Sequence, residues 1–383
     1  MRRIVILSSS LVFVDMLFFT ILTPLLPTYV SQLGLSETEA GLLSSSYSLG
    51  AVIAALPAGF LAQNLGPRKV ICWGLIGLSA ASLIYAWSNS VAVLDLARFA
   101  QGIFGAVIWS GALTWLIGIV PEDRKGAAIG TVTGVGNVGA FVGPAVGAIA
   151  VAIGPEWLFT VIPAALLVLC LAVSTSTDAH RFERQSVRTV VDAALNRPLV
   201  NAFIFMSVPA LGFGLMLVLA PLKMHSLGAS AGLIAGAFTA SAVVELILAP
   251  VSGHWSDRAG RRTPYIAGLV VFSIGLAAMA ATQSLAVAVV VPSLCSIGGG
   301  FWIVPSFAVF SDAADESQLA QSHAFALSNI AFPLGLSVGS LLGGAIAGAI
   351  GFGAPFLMLI GVLLALAAYA SRGLALAAKA PAG

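Results

Sequence analysis

The chain has 383 residues, of which 59% are hydrophobic and only 8% are charged, with a formal net charge of +2. A soluble protein of this length has too little interior to bury so much apolar surface, so the composition predicts a polytopic α-helical membrane protein. The basic residues are scattered among loops and form no single patch, so the net charge gives no indication of nucleic-acid binding and we expect no nucleic-acid partner. Cys72, Cys170 and Cys295 stand alone in apolar runs, which argues against a disulfide framework and a cysteine-rich metal site.

Twelve apolar segments follow one another along the chain, each long enough to cross a bilayer. We predict transmembrane helices at 4–30, 39–64, 69–88, 91–120, 125–153, 156–174, 198–223, 229–256, 263–283, 286–311, 318–350 and 354–372. An arginine-rich polar connection separates two groups of six helices. We therefore predict an N-terminal six-helix bundle at 1–174, a cytoplasmic linker at 175–197 and a C-terminal six-helix bundle at 198–383.

The basic residues also predict the orientation. An even number of spans places both termini on the same side of the membrane. With that side cytoplasmic, every Lys and Arg except Arg98 and Lys223 lies in the cytoplasm, as the positive-inside rule requires. We therefore expect an integral protein of the plasma (inner) membrane, monomeric and surrounded by lipid, with both termini in the cytoplasm.

The two halves of the chain repeat each other. The turn at 59–69 follows the second span, and a similar turn at 253–262 follows the eighth. The fifth and eleventh spans carry matching glycine stripes. Both signals repeat after about 195 residues, which predicts an internal duplication and the architecture of a transporter with two related bundles. The stripes consist of Gly139, Gly143 and Gly147, and of Gly335, Gly339 and Gly343.

Such stripes let a neighbouring helix approach closely. Pro144, inside the first stripe, removes a backbone hydrogen bond and favours a bend. The pattern leaves two interpretations open: a hinge that bends during transport, or close packing alone.

Few charged residues lie inside the membrane segments. Asp15 lies near the bilayer midplane in the first span and Glu245 near the middle of the eighth, and an ionised group there is expected to face a cavity or a partner. The functional interpretation is that both acids take part in proton coupling. The structural alternatives are a helix–helix pair for Asp15 and, for Glu245, a hydrogen bond from a protonated carboxyl group to a helix carbonyl.

Arg98, in the fourth span, is the one deep base. It either faces the cavity and controls the protonation of Asp15, or forms a structural pair with Asp95 one turn away. Intramembrane amides seek partners, and aromatic rings offer contact area to organic cations. The predicted substrate-binding residues are Asp15, Tyr47, Gln101, Trp109, Asn137, Phe213, Trp302 and Asn329.

Three motifs resemble those of the major facilitator superfamily, and the resemblance covers the whole chain. The two turns resemble its G-x-L-A-D-x-x-G-R-K loop, Arg98-Phe-Ala-Gln101-Gly102 its R-x-x-Q-G motif, and 139–147 the G-x-x-x-G-P-x-x-G motif associated with exporters. The loop residues that match and that we expect to act in gating are Gly59, Gly66, Arg68, Lys69, Gly253, Asp257, Arg258, Gly260 and Arg261.

Within the superfamily, the chain resembles the twelve-helix drug:proton antiporters, including bacterial multidrug exporters and vesicular amine transporters. The similarity lies in Asp15-Met-Leu with Pro24-Leu-Leu-Pro27 and in the end of the eleventh span, 343–352. It implies the major facilitator fold.

Several positions depart from that pattern. Gln63 replaces the usual loop Asp, although the second copy keeps Asp257. Tyr47, Gly300 and Asn329 stand where vesicular amine transporters have further membrane charges. Amine specificity and proton stoichiometry therefore do not carry over.

The sequence predicts a secondary active transporter, specifically a proton-coupled antiporter that exports cationic or amphipathic small molecules by alternating access. The alternatives are a proton-coupled importer or exchanger of a neutral metabolite, and a non-transporting receptor or membrane-embedded enzyme. No catalytic constellation or metal-ligand spacing is legible, so we expect no enzyme activity and no cofactor, with the proton as the coupling ion.

Overall fold

The computed structural model describes residues 2–121, 124–176, 196–317 and 321–372, and all the regular structure in these ranges is α-helical. The helices up to the linker are α1 (Arg2–Thr20), α2 (Leu22–Leu33), α3 (Glu37–Leu65), α4 (Pro67–Ala86), α5 (Val91–Ile117), α6 (Lys125–Ile153) and α7 (Pro155–Ser174). Those after it are α8 (Arg197–Ser226), α9 (Ala231–Ala259), α10 (Arg262–Ala281), α11 (Leu285–Glu316), α12 (Gln321–Ile350) and α13 (Ala354–Ser371).

The predicted transmembrane organisation is confirmed. In the part of the chain that the structure describes, 12 helical segments are long and apolar enough to cross a membrane. The bounds differ from the predicted ones by a few residues, except in the eleventh span, where the described apolar segment begins at Leu327. The linker lies mostly outside the described residues, so its boundaries stay a prediction.

The first span contains an interruption. It consists of α1 and α2, which are separated at Ile21, and together they form one apolar segment at Arg2–Leu33, in agreement with the predicted span at 4–30. Pro24 contributes to the interruption: it has no N–H to donate to the carbonyl of Thr20, and its ring crowds that carbonyl. The Thr20 carbonyl is thereby left without its usual helical partner.

Short loops position the helices. Gly66 and Gly154 have positive φ values of 90° and 100°, and each is followed by a proline at the first helical position. Glycine reaches this conformation without strain, and proline is preorganised for a helix start. Ser36 and Glu39 form a capping box, in which the Glu39 carboxylate accepts from the Ser36 N–H at 2.8 Å.

The chain divides into two compact units, Met1–Leu35 with Leu42–Gln185, and Ser36–Gly41 with Ser186–Gly383. Each unit uses the same helix pairs. In the first unit α1 packs on α6 and α5, and α4 packs on α5 and α7. In the second, α8 packs on α12 and α11, and α10 packs on α11 and α13. The shared pattern agrees with the internal duplication predicted from the sequence.

Both glycine stripes lie at close helix contacts of their units. A Cβ added at Gly139, Gly143, Gly147, Gly335 or Gly339 would collide with the backbone of the facing helix, whereas one at Gly343 would meet the end of the Leu215 side chain. In the first unit Gly139, Gly143 and Gly147 face Phe13, Leu17 with Thr20, and Ile21. In the second, Gly335, Gly339 and Gly343 face Ser207 with Ala210, Leu211 and Leu215. Close packing accounts for the glycines, and a hinge at Pro144 stays a prediction.

Candidate functional site

The carboxyl group of Asp15 is buried inside the N-terminal unit, with only 6% of the residue exposed. Its partner is Tyr47 on α3. The Tyr47 hydroxyl donates to Asp15 Oδ1 at 2.6 Å and to the backbone carbonyl of Asp15 at 3.2 Å. The structure thus brings together two residues that the sequence assigned to one site from different spans.

The space for this pair is provided by two glycines on α5. A Cβ added at Gly105 would collide with Asp15 Oδ1 and lie 2.6 Å from the Tyr47 hydroxyl oxygen. A Cβ at Gly102 would collide with the backbone carbonyl of Tyr47. Any larger residue would therefore displace the carboxyl group or the phenol. Gly102 belongs to the predicted motif, whereas Gly105 was missed, because an isolated glycine in an apolar run gives no signal of its own.

Arg98 is almost fully buried, with 1% of the residue exposed, and it is anchored to the break in the first span. Its Nη1 donates to the carbonyl of Phe18 and to Oε1 of Gln101, both at 3.0 Å, and its Nη2 donates to the carbonyl of Phe19 at 3.5 Å. Both carbonyls belong to the last turn of α1. A cation is favoured there because the C-terminal end of a helix carries the negative end of the helix dipole.

Tyr47 lies between the acid and the base. Its ring faces the Arg98 guanidinium, with Cζ 4.8 Å from the ring centroid, while its hydroxyl is bound to Asp15. This is a cation–π contact, which is strengthened when the groups are desolvated. Arg98 therefore contacts Asp15 indirectly, through Tyr47, and its control of the protonation of Asp15 stays a prediction. Asp95, its alternative partner, is half-buried on the same helix, and their pairing stays a prediction.

Gln101 extends the network, since its Nε2 donates to Oγ of Ser82 on α4 at 3.2 Å. The Nε atom of Arg98 is buried and has no hydrogen-bond partner among the described residues. One nitrogen of the guanidinium is thus left without an acceptor in the described part of the chain. A buried donor of this kind calls for an explanation, such as an ordered water, an ion or a functional role.

Glu245 has a simpler environment. It is half-buried on α9, and among the described residues it has no hydrogen-bond partner. Leu248, one turn away, lies over Gly300 of α11, and Trp255 packs edge-on against Phe301 of the same helix with ring centroids 5.3 Å apart. This second deep acid therefore lacks the phenol and guanidinium that surround Asp15.

Two predicted binding residues meet in an aromatic cluster of the C-terminal unit. Phe213 and Trp302 have ring centroids 5.8 Å apart, and Phe272 and Phe332 complete the cluster. Trp302 is fully buried, and its indole N–H has no acceptor among the described residues. The cluster is closely packed, so Trp302 lies among rings and away from solvent.

The other predicted binding residues are less closely grouped. Trp109 lies half-buried on the same face of α5 as Gly105, and its buried indole N–H has no acceptor in the described part of the chain. Asn329 is half-buried on α12, and Asn137 is exposed on α6. Their participation in binding stays a prediction.

The two loop motifs have the predicted turns but different contacts. Gly66 and Gly260 have φ values of 90° and 80°, as tight turns require. Arg68 donates to the carbonyl of Ser176, just after α7, at 2.6 Å. Arg261 instead contacts two carboxylates, Asp257 at 2.8 Å and Asp312 at 3.4 Å.

The other loop residues make fewer contacts. Gly59 lies in α3 with nothing within 4 Å of an added Cβ, and the closest atom to such a Cβ at Gly253 is 3.9 Å away. Lys69 and Arg258 are exposed. Among the described residues no cluster of three or more His, Cys, Asp or Glu side chains is arranged to hold a metal ion.

The described residues form 12 segments long enough to cross a membrane, in two units of similar helix pairing, with a buried acid and base in the first unit. Together these features define a transporter-like membrane protein. The family profile described as Major Facilitator Superfamily matches residues 9–218 and 202–381. The chain therefore belongs to the major facilitator superfamily, whose members are transporters and not enzymes.

Curated relatives match part of the chain. An uncharacterized MFS-type transporter of Schizosaccharomyces pombe is 34% identical over 143 residues, which are 36% of this chain and 32% of that protein. The quinolone resistance protein NorA of Staphylococcus aureus is 30% identical over 136 residues, 36% of this chain and 35% of that protein. The matches thus span about a third of the length of either relative.

Solved structures share the fold over nearly the whole chain. A bacterial homologue of the human lysosomal transporter Spinster, inward-facing and occupied, has a TM-score of 0.80 at 16% identity, with 96% of both chains covered. The nucleoside transporter NupG has a TM-score of 0.77 at 15% identity, with 97% of this chain and 100% of that chain covered. A D-xylose–proton symporter has a TM-score of 0.72 at 16% identity, with 96% and 95% covered.

Proposed function

We propose that this protein is a proton-coupled antiporter that exports cationic or amphipathic small molecules across the plasma membrane by alternating access. The observation that carries the proposal is the buried Asp15–Tyr47–Arg98 network. A carboxyl group surrounded by apolar helices is stable when neutral, or when its charge is matched by a cation. A proton and an organic cation are therefore alternative partners for the same group.

Tyr47 and Arg98 influence whether the carboxyl group of Asp15 is ionised or neutral. The Tyr47 hydroxyl donates to the carboxylate, and the guanidinium over the ring adds positive potential on the same side. Both interactions favour the ionised form, whereas the apolar surroundings favour the neutral form. A small movement of α1 against α3 or α5 changes this balance, so a conformational change can take up or release the proton.

The proposed cycle follows from this balance. Asp15 takes up a proton from the outside, and the neutral site reorients with no buried net negative charge. On the cytoplasmic side the arriving cation replaces the proton, and the loaded site reorients outward. Glu245 is a second candidate acid for cation binding. The protein acts as a monomer in the bilayer with both termini cytoplasmic, and the proton is its only coupling ion.

The similarity to NorA supports a multidrug substrate range, since that relative is named for quinolone resistance. A second candidate is a proton-coupled importer or exchanger of a neutral metabolite. The observation that favours it is the Trp302 indole N–H, a buried donor with no acceptor among the described residues, which a neutral solute with a hydrogen-bond acceptor would satisfy if the aromatic cluster opened during transport.

Purified protein in liposomes with an imposed pH gradient distinguishes the two candidates. We expect labelled organic cations to accumulate on the acidic side, where protons leave in exchange, and neutral solutes and anions of equal size to stay at equilibrium. Because protons and cations compete for one carboxylate, cation binding is expected to weaken as the pH falls. Tight binding of an organic anion that is lost in Arg98→Ala would overturn the assignment of a cationic substrate.

A further inference from the structure

Two cysteines that are far apart in the sequence meet in the N-terminal unit. Cys72 lies in the second turn of α4 and Cys170 near the end of α7, and these helices pack against each other. The Cys72 thiol donates to the backbone carbonyl of Cys170 with an Sγ···O distance of 3.7 Å, which places the two residues side by side on neighbouring helices. Both cysteines are free and half-buried. They are isolated along the sequence, but they are neighbours in the fold.

The pair lies near the ends of both helices. Cys72 is five residues from the start of α4, about 8 Å along the axis, and the Arg68 guanidinium one turn earlier donates to the Ser176 carbonyl beyond α7. Charged and capping groups mark this region as the edge of the apolar slab. Because both cysteines are half-buried, we expect a small reagent to reach the two sulfur atoms from the membrane surface without unfolding of the bundle.

Two neighbouring sulfur ligands have a defined chemical preference. Thiolates bind soft metals and metalloids, whereas structural zinc requires four ligands, and the described residues contain no His, Cys, Asp or Glu cluster of three or more. We propose that Cys72 and Cys170 form a dithiol site for a soft, thiophilic metal or metalloid centre. The occupied site bridges α4 and α7 within one unit, and it is independent of the proposed transport mechanism.

The reaction with a trivalent arsenical tests the geometry without any redox step. Phenylarsine oxide has one arsenic–oxygen double bond. The two thiols form two arsenic–sulfur bonds, their two protons leave with the oxygen as water, and arsenic remains trivalent. A single thiol cannot close this ring, so only a pair with suitable spacing holds the arsenical against an excess of a monothiol.

The experiment uses the full-length protein in detergent, treated with phenylarsine oxide in excess 2-mercaptoethanol and measured by intact mass spectrometry. We expect the wild type to gain one phenylarsenic group, which 2,3-dimercaptopropanol removes. Cys72→Ser and Cys170→Ser should each lose the adduct. Cys295→Ser should keep it, because Cys295 is buried in the other unit.

A second readout separates the site from a folding defect. Thermal melting should shift upward with phenylarsine oxide in the wild type and in Cys295→Ser, since the bridge joins two helices, and stay unchanged in Cys72→Ser. All three variants should elute as monodisperse protein with similar melting temperatures before treatment. An adduct that persists in either Cys72→Ser or Cys170→Ser, or a folded wild type that gains none, would overturn the proposal.

Discussion

The two units share their helix pairs but differ in what fills the equivalent space. Gly105 on α5 and Gly299 on α11 are about 195 residues apart, in step with the internal repeat. Opposite Gly105 lie the Asp15 carboxylate and the Tyr47 hydroxyl, whereas opposite Gly299 lies the ring of Phe213. The same backbone gap thus holds titratable groups in one unit and an aromatic ring in the other.

This difference suggests a division of roles. A protein with two related units needs a buried acid and base in only one of them to form one proton site. The other unit can then use the equivalent space for apolar packing. Arg98 shows the asymmetry most clearly, since the matching position of α11 holds Pro292, which cannot donate a hydrogen bond. Glu245 is the exception, being an acid of the second unit without a matching base or phenol.

The largest effect on gradient-driven transport is expected from removing the charge of Asp15 in the first unit. Asp15→Asn mimics the protonated carboxyl group permanently, so neutral or facilitated exchange survives, while uphill transport driven by a pH gradient is abolished. Proton release on addition of a cation should disappear as well. Glu245→Gln should weaken cation binding and leave coupling intact if the comparison holds. Proteoliposome flux and a pH-sensitive dye measure both quantities.

A structural role of Asp15 would give a different result, in which folding and all activity are lost together. Melting temperature and monodispersity must therefore be measured beside transport. Well-folded Asp15→Asn protein that still concentrates a cation against its gradient would refute the proton-coupling role. Equal loss of coupling in Glu245→Gln would show that both units carry a coupling acid.

Arg98→Lys keeps the charge but loses the planar fork that reaches two carbonyls and Gln101 at once. Hydrogen bonds to a charged group are worth about 2 kcal/mol, so we expect roughly a 30-fold lower rate of gradient-driven transport. Trp302→Phe, which alters the aromatic cluster of the second unit, should change substrate affinity and leave the proton dependence unchanged. Transport as a function of pH separates these outcomes, and an unaltered pH profile in Arg98→Lys would remove Arg98 from the coupling network.

Gly105→Ala tests the gap that the two units share. The added methyl group collides with the Asp15 carboxylate, and overpacking costs about 1–3 kcal/mol, which corresponds to a loss of transport on the order of tenfold. Gly299→Ala meets the edge of the Phe213 ring at 2.5 Å, a side chain that can shift, so its effect on coupling should be smaller. The readout is proton release on cation binding, because a purely structural defect would not lower it selectively.

Gly134→Ala serves as the matched control, because nothing lies within 4 Å of a Cβ at that position of α6. It should fold and transport like the wild type, since alanine favours a helix. A Gly105→Ala protein with normal proton release would show that Asp15 does not need its observed position.

The sequence was sufficient for the fold because hydropathy and charge act over whole segments. Twelve spans, the repeat and the close approach of the glycine stripes follow from composition and period alone. Buried acids and bases were also identifiable, since Asp15, Arg98 and Glu245 are rare residue types in an apolar environment.

The contacts within the site were not identifiable from the sequence. Tyr47 as the link between Asp15 and Arg98, Gly105 as the gap that admits them, and the Cys72–Cys170 pair all depend on how helices from distant segments are rotated against each other. The same holds for the Arg98 donors, which reach the carbonyls of Phe18 and Phe19 from another helix. Pairwise helix packing determines these contacts, and one sequence does not encode it as a local pattern.

The smallest effect is expected at the loops, where the comparison of the units is reversed. Here the second unit has the more charged contacts, since Arg261 binds Asp257 and Asp312, while in the described part of the first unit Arg68 binds the carbonyl of Ser176 and Gln63 offers it no charge. Asp257→Asn should therefore shift the protein towards inward-facing states more than Gln63→Ala does. The Asp257 side chain is 75% exposed, and exposed ion pairs contribute only about 0.2–1 kcal/mol, so we expect at most about a fivefold change in the populations. Distances between paired spin labels, one on each unit, measure the shift.

Asp312→Asn should give a similar or smaller change because its contact with Arg261 is longer, at 3.4 Å. A larger shift from Gln63→Ala than from Asp257→Asn would mean that the uncharged loop of the first unit controls closure.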